Sequence, residues 1–270
     1  MRASAIHHVA LHVFKESVRD RVLYNLVLFA GLLMASSFLI GQLTAGQDVK
    51  IIKDLGLAAI SIFGLFIAIF IGIGLVSKEV EKRSIYALLA KPLSRPELVA
   101  GKFAGLALTL AVNVAVMAAM YFALLAYYAF TEPAHIQRAW EAPALDPALL
   151  KPILLIYLQL LLVNAIALFF STFTSPLLAA AFSLGLWVAG HFNADLRAFD
   201  QVVEGASAAT LGKVLYYILP NFAAFDVKAL AVHGQHIPAG LIAINAAYAA
   251  AYIGVLLIAA ALIFARRDFK

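Results

Sequence analysis

Six uninterrupted apolar stretches decide what this chain can fold into. They run from Val22 to Gln42, Leu55 to Val76, Phe103 to Phe130, Pro152 to Phe170, Pro176 to His191 and Leu241 to Ala265. Between their ends none contains Asp, Glu, Lys or Arg. A helix needs roughly 20 such residues to cross the hydrocarbon of a bilayer, so each stretch predicts one span. The apolar residues are continuous rather than alternating, which excludes a membrane barrel. A soluble fold is excluded too: 64% of the chain is hydrophobic and 13% charged, against roughly 25% charged in an ordinary soluble domain. The predicted fold is therefore all-α: one polytopic membrane domain over residues 1–270, with six transmembrane helices.

The basic residues then set an orientation, because Lys and Arg accumulate in cytoplasmic loops. With the N-terminus inside, Lys15, Arg19, Arg21, Lys78, Lys82, Arg83, Lys91, Arg95, Lys102, Arg266 and Arg267 fall on the cytoplasmic side. The longer outer loops keep fewer, among them Lys50, Lys53, Arg138, Lys151 and Lys228. Both termini are expected in the cytoplasm, and the net charge of +5 is an orientation signal and not a nucleic-acid footprint. Arg19, Asp20 and Arg21 precede the first span and no small-residue cleavage site follows a short one, so that span is expected to stay as an anchor. The absence of cysteine excludes disulfides and thiolate chemistry.

Three segments outside the spans carry pattern. In residues 1–21, Ile6, Val9, Ala10, Val13, Phe14 and Ser17 recur at helical spacing, opposite His8, His12, Lys15 and Arg19. That predicts an amphipathic helix lying in the interface with a basic stripe. His8 and His12 have the i, i+4 spacing of a metal pair, but no third ligand joins their face, so no metal is expected.

Residues 77–102 predict helix, corner, helix. A helix leaves the second span through Glu79, Glu81 and Arg83, with Ile85, Leu88 and Leu89 on one side, and breaks before Pro92. Ser94 with Glu97 is a capping-box pattern that starts the next helix at Arg95. On these residues alone the segment is either an ordinary charged loop or a docking surface. The outer segment, residues 192–240, is too apolar for a plain loop. It predicts a short helix over Leu211 to Leu219, stopped by Pro220 and followed by Asn221, Phe222 and Phe225, packed at the outer membrane face.

Within the spans, small residues recur every four positions. They are Gly64, Ala68 and Gly72 in the second, Ala107, Ala111, Ala115, Ala119 and Ala123 in the third, and Ala246, Ala250 and Gly254 in the sixth. Such lines let helix backbones approach, either within one subunit or across a dimer. Asn113, Gln159, Asn164 and Asn245 are read as hydrogen-bonding neighbouring helices. In the turn Ser171 to Pro176, hydroxyls are expected to cap and Pro176 to open the next helix.

Glu79, Glu81, Leu88, Leu89, Pro92, Ser94, Arg95, Leu98, Gly101 and Lys102 together resemble the signature loop of ABC transporter permeases of the type-2 export class. The Gly-Thr pair common in that loop is Arg83-Ser84 here. The Ser171 to Pro176 turn, the Leu219-Pro220-Asn221 triplet and the closing Arg266, Arg267, Asp268 and Phe269 are similar to bacterial members. The resemblance covers nearly the whole chain.

It implies six spans, an amphipathic N-terminal helix and a cytoplasmic coupling helix built from Glu79, Glu81, Arg83, Ile85, Leu88, Leu89, Pro92 and Arg95. Pro220 and Asn221 would belong to the outer segment. It further implies an ABC ATPase subunit as partner, a second permease copy or paralogue, surrounding lipids, and a bacterial plasma membrane location. The phosphate-cradling GxxxxGK[ST] loop is missing, since Pro96 and Ser207 stand where Gly101-Lys102 and Gly212-Lys213 would need glycine. ATP is thus expected on the partner, with no cofactor and no catalytic residue on this chain. The rival from another class is an intramembrane enzyme using His191, Ser171 or Asp195, or else a non-transporting scaffold. The enzyme needs these groups to converge inside the membrane. Nothing in the apolar spans selects a cargo.

Overall fold

The structure is a computed structural model that describes residues 3–41, 48–81, 94–138, 140–193, 210 and 214–266. Among these residues the chain is helical, with no strand. In order, the helices are α1 (Ala3–Ser17), α2 (Arg21–Gly41), α3 (Asp48–Glu81), α4 (Arg95–Thr131), α5 (Ala134–Gln137), α6 (Leu150–Ser171), α7 (Pro176–His191), α8 (Lys228–Val232) and α9 (Ala239–Arg266). Four apolar stretches are long enough to cross a bilayer: Val49–Gly74, Pro96–Thr131, Pro147–Ser171 and Ala239–Phe264. Two shorter apolar helices, Arg21–Ser37 and Pro176–His191, occupy the first and fifth runs.

Local chemistry explains the helix ends. α4 begins after Ser94, whose backbone N–H donates to Glu97 Oε2 at 3.1 Å, the returning half of a capping box. It stops at Thr131 because Glu132, which precedes Pro133, is held extended at ψ 136. Pro176 opens α7, as its spacing predicts. The hydroxyls of the preceding turn act differently from expectation. Ser171, Thr172 and Thr174 donate to the carbonyls of Leu168, Phe169 and Phe170, closing the C-terminal end of α6, and no side chain caps α7. The last carbonyls of a helix otherwise lack partners, and here hydroxyls supply them.

The core is the pair α3 and α6. Of their spanning windows, 72% and 67% are buried, against 17% for α9. α6 is apolar on every side, as a helix surrounded by others must be: 14 of its 22 residues are buried, and α3, α4, α7 and α9 all pack on it. The glycine line of α3 faces this partner. A methyl at Gly64 would lie 2.4 Å from Leu160 Cδ1, and one at Gly72 would lie 2.7 Å from Ala167 Cβ. At Gly72 the α6 backbone itself lies close, with Asn164 O 3.1 Å from an added Cβ, while at Gly64 the Leu160 side chain fills the space. The other small-residue lines are covered only in part by the described residues, with Ala107, Ala111 and Ala246 half-buried. Ala115, Ala119, Ala123 and Ala250 are exposed, and Gly254 has nothing within 4 Å of an added Cβ.

Three expectations about polar and interfacial residues change. The apolar face of α1 also packs on α4, because Gly101 and Gly105 leave space for Val9 and Val13, both within 3 Å of an added Cβ. His8, His12, Lys15 and Arg19 are exposed on the other side. Lys53 is no loop cation. α3 starts early enough to include it, only 1% of it is exposed, and its Nζ donates to Pro143 O at 2.7 Å and Ala142 O at 3.5 Å. Backbone carbonyls thereby replace the water that a buried ammonium loses.

The four uncharged polar residues also diverge. Asn113 bonds Thr109 O in its own helix, while Gln159 reaches His191 on α7. Asn245 reaches Ala224 O, and buried Asn164 has no partner for either amide atom among the described residues.

Candidate functional site

Two places on the fold correspond to the residues singled out by sequence. At the end of the bundle where α1 packs, α3 continues as helix to Glu81 and so includes Glu79 and Glu81, and α4 restarts at Arg95. Arg83, Ile85, Leu88, Leu89 and Pro92 lie outside the described residues. What is described is their footing. α3 and α4 have 34 and 37 residues, or about 50 Å and 55 Å at 1.5 Å per residue, well beyond the ~30 Å of hydrocarbon. Both cross without a break, and each packs on the other and on α6. Glu97 and Lys102, on the first turns of α4, are buried at 6% and 3% exposure.

At the opposite end, Pro220 and Asn221 sit in a clamp between α7 and α9. Residues 214–218 are helical, Pro220 ends that turn, and residues 211–213 lie outside the described residues. The clamp is made largely of backbone groups met by side chains. Tyr252 hydroxyl donates to Ile218 O at 2.5 Å, Tyr248 hydroxyl accepts from Asn221 N at 3.0 Å, and Asn245 Nδ2 donates to Ala224 O at 2.8 Å. Asn221 Oδ1 accepts from Ala224 N at 3.2 Å and so starts the 3₁₀ turn Ala223–Phe225.

From α7, Gly190 O accepts from Phe222 N at 3.0 Å, and just past its end Asn193 Nδ2 donates to Tyr216 O at 3.1 Å. Phe222 and Phe225 are buried beneath, at 0% and 1% exposure. Tyr217 and Ile218, in the helical stretch 214–218, are exposed. The clamp residues Asn245, Tyr248 and Tyr252 recur at i, i+3 and i+7, a polar line on one face of an apolar helix. That spacing was the available signal for them.

Below the clamp, His191 Nδ1 lies 2.8 Å from Trp187 O and His191 Nε2 lies 3.3 Å from Gln159 Nε2. A carbonyl can only accept, so the hydrogen sits on Nδ1 and Nε2 accepts from the amide. Ser171 ends α6 and His191 ends α7, so the 16 residues of α7, about 24 Å of helix at 1.5 Å per residue, lie between them. Ser171 donates to Leu168 O, so the pair that an intramembrane hydrolase would need does not converge. Asp195 lies outside the described residues.

A second tie crosses this end on the surface. His233 Nδ1 lies 2.7 Å from Glu141 Oε2, and Lys50 Nζ lies 3.6 Å from Glu141 Oε1. The hydrogen bond from His233, helped by the Lys50 charge, holds the Glu141 carboxyl below its ordinary value. Gly234 follows at φ 67, a left-handed conformation in which an added Cβ would also lie 2.7 Å from Ala142 Cβ. Together with Lys53, these contacts fasten the stretch after α4 to the start of α3.

The arrangement offers two long unbroken helices and a clasped end opposite α1, with no converging nucleophile and base among the described residues. A family model described as "ABC-2 family transporter protein" matches residues 8–269. No curated protein matches the chain.

Proposed function

Since this chain belongs to the ABC-2 family of transporter proteins, and is on that ground the membrane permease subunit of an ABC transporter, we propose that it works as half of an ATP-driven exporter. Two such permeases, identical or paralogous, would line the path, each coupled to a separate ATPase subunit through residues 77–102. Glu79, Glu81, Arg83, Ile85, Leu88, Leu89, Pro92 and Arg95 would form the docking element. Closure of the ATPases on ATP would push this element and tilt α3 and α4. The clamp around Pro220 and Asn221 would open and close the far side of the path.

The observation that carries this reading is the continuity of α3 and α4. Each runs unbroken from the flank of residues 82–93 to the opposite end of the bundle, so a push at one end is transmitted along a stiff rod. α3 is also tied by Lys53 to the stretch after α4. Support for a second copy comes from α7, where Ala181, Gly185 and Ala189 line an apolar groove with Phe170, Phe182 and Leu186. Among the described residues nothing lies within 4 Å of a Cβ added at Gly185, and small residues at this spacing admit a neighbouring helix closely.

Purification from native membranes in mild detergent tests the assembly. An ABC ATPase should co-elute in equal amount with the permease, and a permease that elutes folded and alone would remove the reading. Orientation has its own check: a reporter active only in the cytoplasm and fused to Lys270 should be active. A silent but stably expressed fusion would require an odd number of spans.

A further inference from the structure

On the reading that α3 tilts during transport, we propose that Asn164 is a positioning residue for that movement: its amide is idle in this arrangement and bonds the bared backbone of α3 once α3 shifts along α6. Asn164 lies on α6 with 0% exposure, and neither Nδ2 nor Oδ1 has a hydrogen-bond partner among the described residues. The other buried amides are bonded: Asn113, Gln159, Asn193 and Asn245 each have a partner. An amide buried without one is costly, most of all away from water, so this packing carries a penalty that a different packing can relieve.

The amide is aimed across the interface. Asn164 Oδ1 lies 2.9 Å from the position a Cβ at Gly72 would take, and Ala167 Cβ and Asn164 O lie 2.7 Å and 3.1 Å from the same point. Asn164 therefore abuts α3 where its backbone has no side chain. A contact this close leaves no place for a water between them.

That backbone can supply the missing bond. A carbonyl has two lone pairs, and bonding within a helix uses one of them. Ala68 O, which the i→i−4 pattern directs at Gly72 N, belongs to the same face of the unbroken α3, and Ala68 is buried with only a methyl to cover it. Gly64, Ala68 and Gly72 thus form a strip along which a shift of about one residue, ~1.5 Å, brings the amide N–H to a carbonyl. Packed helices move by small shears of this kind. The amide is unpaired before the shift and paired after it, so Asn164 narrows the gap between the two packings.

The test uses the full-length permease in lipid nanodiscs without an ATPase. The latch can then fail while an ABC ATPase still co-elutes, and co-elution can fail while the latch stands. The chain has no cysteine, so Phe70→Cys, at a position 54% exposed on α3, takes a single trifluoromethyl label. Fluorine NMR reads the populations of the two packings, and two resonances are expected in the labelled parent. Asn164→Leu relieves the unpaired amide in one packing and removes the bond in the other, so the minor resonance should fall about tenfold. Its melting temperature should rise by about 2–4 °C, where loss of an amide already bonded would lower it.

Asn164→Ser is the second variant, smaller than the parent residue and so free of clash. Its hydroxyl can bond the carbonyl one turn back in α6, as Ser183 does with Ala179 O in α7, and it does not reach α3. The minor resonance should shrink to the same degree. A single resonance in the parent overturns the latch, as does a ratio left unmoved by either folded variant. Melting temperatures lowered by both substitutions would show an amide already bonded in the resting packing, and they overturn it as well.

Discussion

Gly72→Leu should be the most damaging single substitution in the bundle, lowering stability by about 3 kcal/mol or preventing folding outright. The new Cβ would fall 2.7 Å from Ala167 Cβ, 2.9 Å from Asn164 Oδ1 and 3.1 Å from Asn164 O. The last is a backbone atom at the centre of the fold, which no rotamer change can move away. Separating α3 from α6 to relieve the clash would open the tightest part of the core. Gly254→Leu is the matched control, because nothing lies within 4 Å of its added Cβ. Thermal unfolding of both variants in one detergent decides the matter. Equal melting temperatures would mean that α3 and α6 do not meet at Gly72.

Leu88→Asp should release the ATPase and leave the permease folded. Leu88 belongs to the segment proposed to dock, where its spacing from Ile85 and Leu89 predicts one apolar side. Interfaces draw most of their energy from a few buried apolar anchors, and an unpaired carboxylate placed in such a pocket costs several kcal/mol. A hundredfold or greater fall in ATPase affinity is expected, roughly 3 kcal/mol. Transport should stop with it. Glu81→Gln, a rim change, should alter mainly the salt dependence of association. The readouts are co-purification, transport and the melting temperature of the permease. A folded Leu88→Asp protein that keeps its ATPase and transports normally would refute docking through this loop.

What could be read from the sequence is what the bilayer imposes locally. A span must be long, apolar and hydrogen-bonded within itself, so its position is written in consecutive residues. For the same reason the start of α4 was readable in Ser94 and Glu97, and that of α7 in Pro176, because caps and prolines act within one turn.

Tertiary structure alone decided which groups meet across long separations. Lys53 and Pro143 are 90 positions apart, Gln159 and His191 are 32, and Tyr252 and Ile218 are 34. In the first and last of these the acceptor is a backbone carbonyl, which every residue has, so no side-chain pattern announces it. The same limit applies to the small-residue lines. Gly64 and Gly72 on α3 and Ala115 and Ala119 on α4 repeat at one spacing, yet the first line is buried against α6 and the second is bare. Spacing places residues on a common face, but in lipid, where both faces of a span are apolar, only packing selects which face is covered.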